Sequence, residues 1–289
     1  MPARAALAAV LTVLAFGAFG CGGSDPSPPA ASAAALVPGD ALVYVHVSTD
    51  GGRDVNKRAG KVAAKFPSYR NLRDQIIGRL ATTGGTVSFE RDIQPWLGKE
   101  AALALLNAGS DTAGSLVLFD VADSKAAHAF ADRTTAGQAT ATYHGVELHR
   151  GSDVTSAFIG HFLAIGQDAT VKAAIDVRDG RREALPSDAT YKRAVEGMPE
   201  GRVADGYASA AGVTRLLAPQ GGVLGFIGTL LLNPALDGAA LALTPDSPGA
   251  RIWEHSVLDP EKAKNTDSPF EPFEPTLTVE DSLINCINT

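Results

Sequence analysis

The sequence predicts an α+β fold made of antiparallel sheets, which are built from strand pairs with amphipathic helices between them. Apolar, β-branched runs come in neighbouring pairs separated by turn residues, and such pairs are typical of antiparallel strands. They lack the strict β-α-β alternation of a parallel sheet. Between the pairs lie segments whose apolar residues recur with helical spacing. The 289 residues are 45% hydrophobic and 20% charged, which leaves ample material for a core.

The predicted strands are apolar, β-branched runs bounded by Gly, Pro, Asn and Asp. They lie at residues 42–47, 101–106, 115–121, 140–150, 157–166, 203–209, 239–243 and 252–258. Glycine interrupts two of these segments, and we expect tight turns at His144-Gly145 and Gly160-His161.

The helices are predicted from apolar residues that repeat along one face. The first covers residues 54–66 and ends before Pro67, because proline cannot continue a helix. Ser124, Asp168 and Asp188 are predicted to begin three further helices, since short polar side chains cap exposed backbone N–H groups. Two more helical segments are predicted at residues 69–80 and 212–232.

The N-terminus predicts export. Residues 1–20 hold one base, Arg4, before an apolar run that is too short to span a bilayer and has the length of a signal peptide. Ala18-Phe19-Gly20-Cys21 resembles the lipobox of bacterial lipoproteins, in which the cysteine is acylated and becomes the mature N-terminus. We therefore expect a lipid-anchored protein on the outer face of the cytoplasmic membrane, attached through Cys21. The alternative is an ordinary signal peptide with an incidental cysteine.

Composition divides the rest of the chain into three parts. Residues 21–35 are a Gly/Ser/Pro/Ala tether, residues 36–258 form the α+β domain, and residues 259–289 are a Pro/acid-rich C-terminal tail. We expect residues 265–289 to contribute almost nothing to the core and Cys286 to be a free, accessible thiol.

Two short motifs resemble a known family. Residues 36–45, Leu-Val-Pro-Gly-Asp-Ala-Leu-Val-Tyr-Val, and residues 92–98, Asp-Ile-Gln-Pro-Trp-Leu-Gly, are similar to landmarks of the exported family called domain of unknown function 3352. The resemblance covers residues 36 to about 273 and implies an exported, often lipid-anchored protein. It implies no reaction, ligand or catalytic residue. Family members usually continue with further strand units, so the resemblance also implies that the usual C-terminal part is lacking here.

Several function classes find no support in the sequence. The formal charge of −7 disfavours nucleic acid as a partner, because phosphate binding needs clustered bases. The six histidines form no zinc-binding motif, and His144 and His149 are expected on opposite faces of one strand. The glycine-rich run at residues 221–228 lacks the lysine of a phosphate loop, and no nucleophile motif is present. We therefore predict no catalytic residues, no metal and no cofactor.

One segment differs from this acidic background. Residues 53–79 contain eight bases and only two acids. We expect some of these bases to meet anionic lipid headgroups, with a solvated helix face as the alternative. The candidate contact residues are Lys57, Arg58, Lys61, Lys65, Arg70 and Arg73.

Three functions remain compatible with the sequence. The first is a non-enzymatic binding or scaffolding module of the cell envelope, whose protein partner the sequence does not identify. The second is a carrier or sensor of a hydrophobic ligand such as a lipid, with the apolar residues 223–232 lining a cavity. The third is a hydrolase whose site assembles only in three dimensions.

Overall fold

In the part of the chain that the structure describes, ten strands form one antiparallel sheet with helices on both faces. The computed structural model describes residues 28–63, 87–107, 113–135, 137–151, 154–217, 219, 231, 233–246 and 249–264. The strands are β1 Val43–Ser48, β2 Leu97–Asn107, β3 Ala113–Val121, β4 Ala139–Tyr143, β5 Val146–Arg150, β6 Thr155–Ile159, β7 Phe162–Gly166, β8 Ala204–Ser209, β9 Leu236–Pro245 and β10 Ala250–Leu258. Their order across the sheet is β10-β9-β8-β1-β2-β3-β7-β6-β5-β4.

The predicted α+β class and its antiparallel pairing are confirmed. The segments predicted at residues 140–150 and 157–166 each form strands joined by tight turns. His144 and Gly145 have φ angles of 46° and 77°, and Gly160 has a φ of 61°, which is the left-handed backbone that short hairpin turns require. His149 therefore lies on β5 and His144 in the turn before it, so the expectation of one strand carrying both was wrong.

The helices lie close to their predicted positions. They are α1 Asp54–Ala63, α2 Ser124–Thr134, α3 Asp168–Arg178, α4 Ala189–Ala194, α5 Ala210–Gly212 and α6 Pro260–Lys264. The Asp188 side chain accepts a hydrogen bond from Tyr191 N at 2.7 Å and caps α4 as predicted. Helix α2 is capped by Asp123 instead of Ser124, because the Asp123 carboxylate accepts the Ala126 N–H at 3.0 Å.

Each face of the sheet has its own core. One face packs against α3, α4 and the chain that precedes β1, and its side chains include Tyr44, Leu116 and Leu118. The opposite face is covered in two patches, one around Val213 and Leu217 and one around α2 and Trp96. Strand β1 lies in the middle of the sheet, and all six of its residues are buried.

The chain before β1 corrects a sequence prediction. Residues 32–35 were expected to belong to a solvated tether, yet residues Ala33–Leu36 form a 3-10 helix with Ala33 and Ala34 buried. Alanine side chains are small enough to pack closely on the sheet, which a composition-based prediction of a tether overlooks. We call residues 28–42 the arm.

The register fixes which residues lie at each end of the sheet. Ser48 pairs with Glu100, and Val47 pairs with Ala204. We call this the Glu100 end. At the other end, Leu42 O accepts the backbone N–H of Ser209 at 3.0 Å, and we call this the Leu42 end. The arm starts at the Glu100 end, crosses the sheet and enters β1 at the Leu42 end.

Some predicted features lie outside the described residues. They are the signal peptide, Cys21, the helix at residues 69–80, all of the apolar run 223–232 except Leu231, and the tail from residue 265 onward with Cys286. The first tail residues are described, and residues Pro260–Lys264 form helix α6 directly after β10. Within the described residues, no helix is both long and apolar enough to cross a membrane.

Candidate functional site: a buried polar junction beneath the arm

A charged cluster lies where a purely apolar core is expected. His46 is fully buried at the centre of β1, and its antiparallel partner on β8 is Asp205. The His46 Nδ1 atom lies 3.0 Å from Asp205 Oδ1, and Nε2 lies 3.7 Å from Glu100 Oε2. The imidazole therefore sits between two carboxylates on neighbouring strands, and both acids are themselves buried. Charges are found this deep only when they are paired, because desolvation is costly.

Glu100 joins this cluster to the arm. Its Oε1 atom accepts hydrogen bonds from the backbone N–H of Ser32 at 2.9 Å and from the Ser32 hydroxyl. Its Oε2 atom accepts the backbone N–H of Ala33 at 3.1 Å. One side chain of β2 thus satisfies three donors at the start of the 3-10 helix. We call Glu100, Ser32 and Ala33 the latch, because these bonds hold the arm against the sheet.

Arg202 completes the cluster on the other side. Its Nε atom donates to Asp205 Oδ1 at 2.7 Å, and its Nη1 atom donates to Pro199 O at 3.0 Å. Burial raises the pKa of Asp205, but the charges and hydrogen bonds of His46 and Arg202 outweigh it and hold this pKa below its usual value. The folded protein therefore keeps Asp205 ionised.

This shift predicts a pH dependence of stability. Because the folded pKa of Asp205 is depressed, its contribution is present above the unfolded value of about 3.9 and is lost as the pH falls through the folded pKa. We expect Asp205→Asn to unfold more easily than wild type near neutral pH and the gap to close below about pH 3.9. Urea unfolding of both proteins across this range measures the gap, and a constant gap would contradict the assignment.

A group of tyrosines borders the cluster. The Tyr44 hydroxyl is buried and, within the described residues, has no hydrogen-bond partner. Burial, followed by the nearby charge of Asp205, raises the pKa of Tyr44 well above its usual value. Tyr191 packs edge-on against both Tyr44 and Tyr207, and burial raises the pKa of Tyr191 to about 12. These phenols remain neutral at physiological pH.

The cluster does not have the geometry of a metal centre. The two carboxylates contact opposite nitrogens of His46, so the three side chains do not converge on one point. Among the residues that the structure describes, no three His, Cys, Asp or Glu side chains could hold a metal ion together.

A nearby serine and histidine also fail to form a catalytic triad. The Ser32 hydroxyl lies 3.4 Å from His161 Nε2, and Asp120 Oδ1 lies 3.9 Å from that same nitrogen. A triad needs the acid on the other ring nitrogen, where it orients the imidazole and stabilises its charge. The Ser32 hydroxyl instead donates a hydrogen bond to Glu100. The geometry therefore supports a structural role for this serine.

The comparisons with known proteins identify the family. The model of the family described as "Protein of unknown function (DUF3352)" matches residues 3–271. This chain belongs to that family. The family resemblance predicted from residues 36–45 and 92–98 is thereby confirmed. No relative among curated proteins matches this DUF3352 chain.

Solved structures show a distant likeness. Crystal form III of TP0453 matches with a TM-score of 0.42 and 14% identity over 82% of this chain and 80% of that chain. Crystal form I of TP0453 matches with a TM-score of 0.40 and 16% identity over 80% of this chain and 77% of that chain. A likeness at this level carries no functional information.

The predicted lipid-contact residues are only partly described. Lys57 is largely buried and pairs with Asp54 at 2.9 Å, whereas Arg58 and Lys61 are exposed on α1. Lys65, Arg70 and Arg73 lie outside the described residues. The base that begins the segment, Arg53, points inward, where its guanidinium donates to the carbonyl oxygens of Arg202 at 2.9 Å and Glu200 at 3.0 Å.

Proposed function

We propose that this DUF3352 protein is a lipid-anchored module on the outer face of the bacterial cytoplasmic membrane, which acts by binding or scaffolding and not by catalysis. Lipidated Cys21 attaches it to the membrane. The observation that carries the proposal is the latch, because it gives the chain that leads back to Cys21 a fixed origin on the folded domain.

The buried cluster supports a non-enzymatic role. His46 and Glu100 carry the functional groups that a general acid or base would use, but neither side chain reaches the surface. Their contacts run inward, to Asp205 on one side and to the arm on the other. Such a network fastens an element to the fold, and a substrate has no access to it.

Fractionation of cells tests the anchor. We expect the wild-type protein in the membrane fraction even at high salt, since several acyl chains at about 0.8 kcal/mol per buried CH₂ give lasting attachment. Cys21→Ser should move most of the protein to the soluble fraction. Metabolic labelling with a clickable fatty acid should mark the wild type and not the variant.

The second cysteine of the chain provides the matched control. Cys286→Ser removes the only other thiol, so it should change neither the labelling nor the membrane fraction. If Cys21→Ser and wild type fractionate and label alike, the proposed anchor is wrong.

A further inference from the structure

We infer that the Glu100 end of the sheet is the end that faces the membrane, and that anionic phospholipid headgroups bind the solvent side of α1 through Arg58 and Lys61. This inference deepens the proposed function and rests on it in taking Cys21 as the anchor. It assigns a surface and a partner: a bilayer that contains acidic lipid.

The arm and α1 begin at the same end of the sheet. The latch residue Glu100 pairs with Ser48, the last residue of β1. Asn56, in the first turns of α1, donates from Nδ2 to Ser48 O at 3.0 Å and to Ser48 Oγ at 2.9 Å. A chain of direct contacts therefore runs from the latch through Ser48 to α1.

The apolar side of α1 fixes which side is exposed. Val55 and Ala59 pack against Val203 and Leu243, which lie at the Glu100 end. Arg58 and Lys61 are three residues apart and share the exposed side of α1. Within the described residues, neither of them contacts an acid, so both charges are available to a partner.

The length of the chain before the arm keeps this end close to the anchor. Seven residue-to-residue steps, through six intervening residues, lead from Cys21 to Pro28, the first described residue. At about 3.6 Å per residue they span at most roughly 25 Å. This length alone does not bring α1 within the roughly 8 Å over which charges interact in physiological salt. We therefore infer that attraction between the α1 bases and acidic headgroups brings α1 the rest of the way to the membrane.

Vesicle binding by the Cys21→Ser chain tests the surface without the anchor. The vesicles are phosphatidylcholine alone or an equimolar mixture with phosphatidylglycerol, and co-sedimentation measures binding. We expect binding to the mixed vesicles that weakens as NaCl is raised. Because each near-surface base contributes a factor of about five, Arg58→Gln with Lys61→Gln should weaken binding about 30-fold.

The opposite end of the sheet supplies the matched control. Arg215 and Lys262 are exposed bases that follow β8 and β10 at the Leu42 end, where Lys262 also pairs with Asp237 at 3.6 Å and with Asp259 at 3.2 Å. Arg215→Gln with Lys262→Gln removes the same charge and should change binding less than about twofold. Glu200 is an exposed acid at the Glu100 end, and Glu200→Gln should strengthen binding. Circular dichroism and melting curves verify that each variant remains folded.

The outcomes separate the inference from the proposed function. The inference is overturned if the two double variants lose vesicle binding equally, or if binding does not depend on phosphatidylglycerol. Neither result bears on the lipid anchor at Cys21. If Cys21→Ser fails to change fractionation in cells while α1 still selects acidic vesicles, the anchor falls and the assigned surface stands.

Discussion

Replacing Glu100 with alanine should lower the free energy of unfolding by about 3–5 kcal/mol, the usual cost of removing one partner from a buried ionic network. The variant leaves the backbone N–H groups of Ser32 and Ala33 without their acceptor. It also leaves His46 with a carboxylate on only one side. Urea unfolding measures the loss, and hydrogen exchange at Ser32 and Ala33 should show whether the arm opens first.

Two further variants interpret that result. Glu147→Ala removes a carboxylate that is 66% exposed and pairs with His149 at 3.6 Å, and it should change stability by less than about 1 kcal/mol. Glu100→Gln keeps an acceptor for the arm but loses the charge beside His46. The free energy of unfolding of Glu100→Gln should therefore lie between those of wild type and Glu100→Ala. If Glu100→Ala changes neither the free energy of unfolding nor hydrogen exchange in the arm, the latch does not stabilise the arm.

Local patterns were sufficient to predict most of the fold. Strands were found where apolar and β-branched residues fall between turn residues, and helices α3 and α4 where an acidic side chain begins a run with helical spacing. These signals depend on neighbours in sequence, so a single chain reveals them. The order of the strands is different. It depends on which edges meet in space, and the placement of β8 beside β1 leaves no local trace.

The buried cluster could not be predicted for the same reason. His46, Glu100 and Asp205 are far apart in sequence, and only the antiparallel register brings them together. A signal was nevertheless present: each is a charged or titratable residue in or beside a predicted strand. Such a residue in a buried strand needs a partner, so three of them indicate a shared network.

The arm shows where composition misleads. Small and polar residues around Ser32 are typical of a linker, because they offer little apolar area to bury. Here the stabilisation comes from hydrogen bonds to a buried carboxylate, each about 1.5–3 kcal/mol for a charged acceptor. That acceptor lies on β2, and nothing near the arm in sequence announces it.

The backbones of β3 and β7 approach closely at Gly166, and a larger residue there should strongly destabilise the protein. Gly166 pairs with Leu116 in the interior of the sheet, and a Cβ atom there would overlap the carbonyl oxygen of Ser115. It would also lie 2.6 Å from Thr170 Oγ1, which donates to that same carbonyl at 2.8 Å. Neither strand can move aside without disturbing the ladder on both of its sides.

We therefore expect Gly166→Ala to destabilise the protein by about 3 kcal/mol, at the upper end of the usual cost of overpacking. Gly201→Ala is the control, since its Cβ would only touch Thr244 and Val55 at 3.8 Å, and its effect should stay below about 1 kcal/mol. Adding Thr170→Ala to Gly166→Ala relieves the side-chain overlap but not the backbone overlap, so the double variant should recover little. Full recovery would mean that the hydroxyl, and not the Ser115 carbonyl, requires glycine at this position.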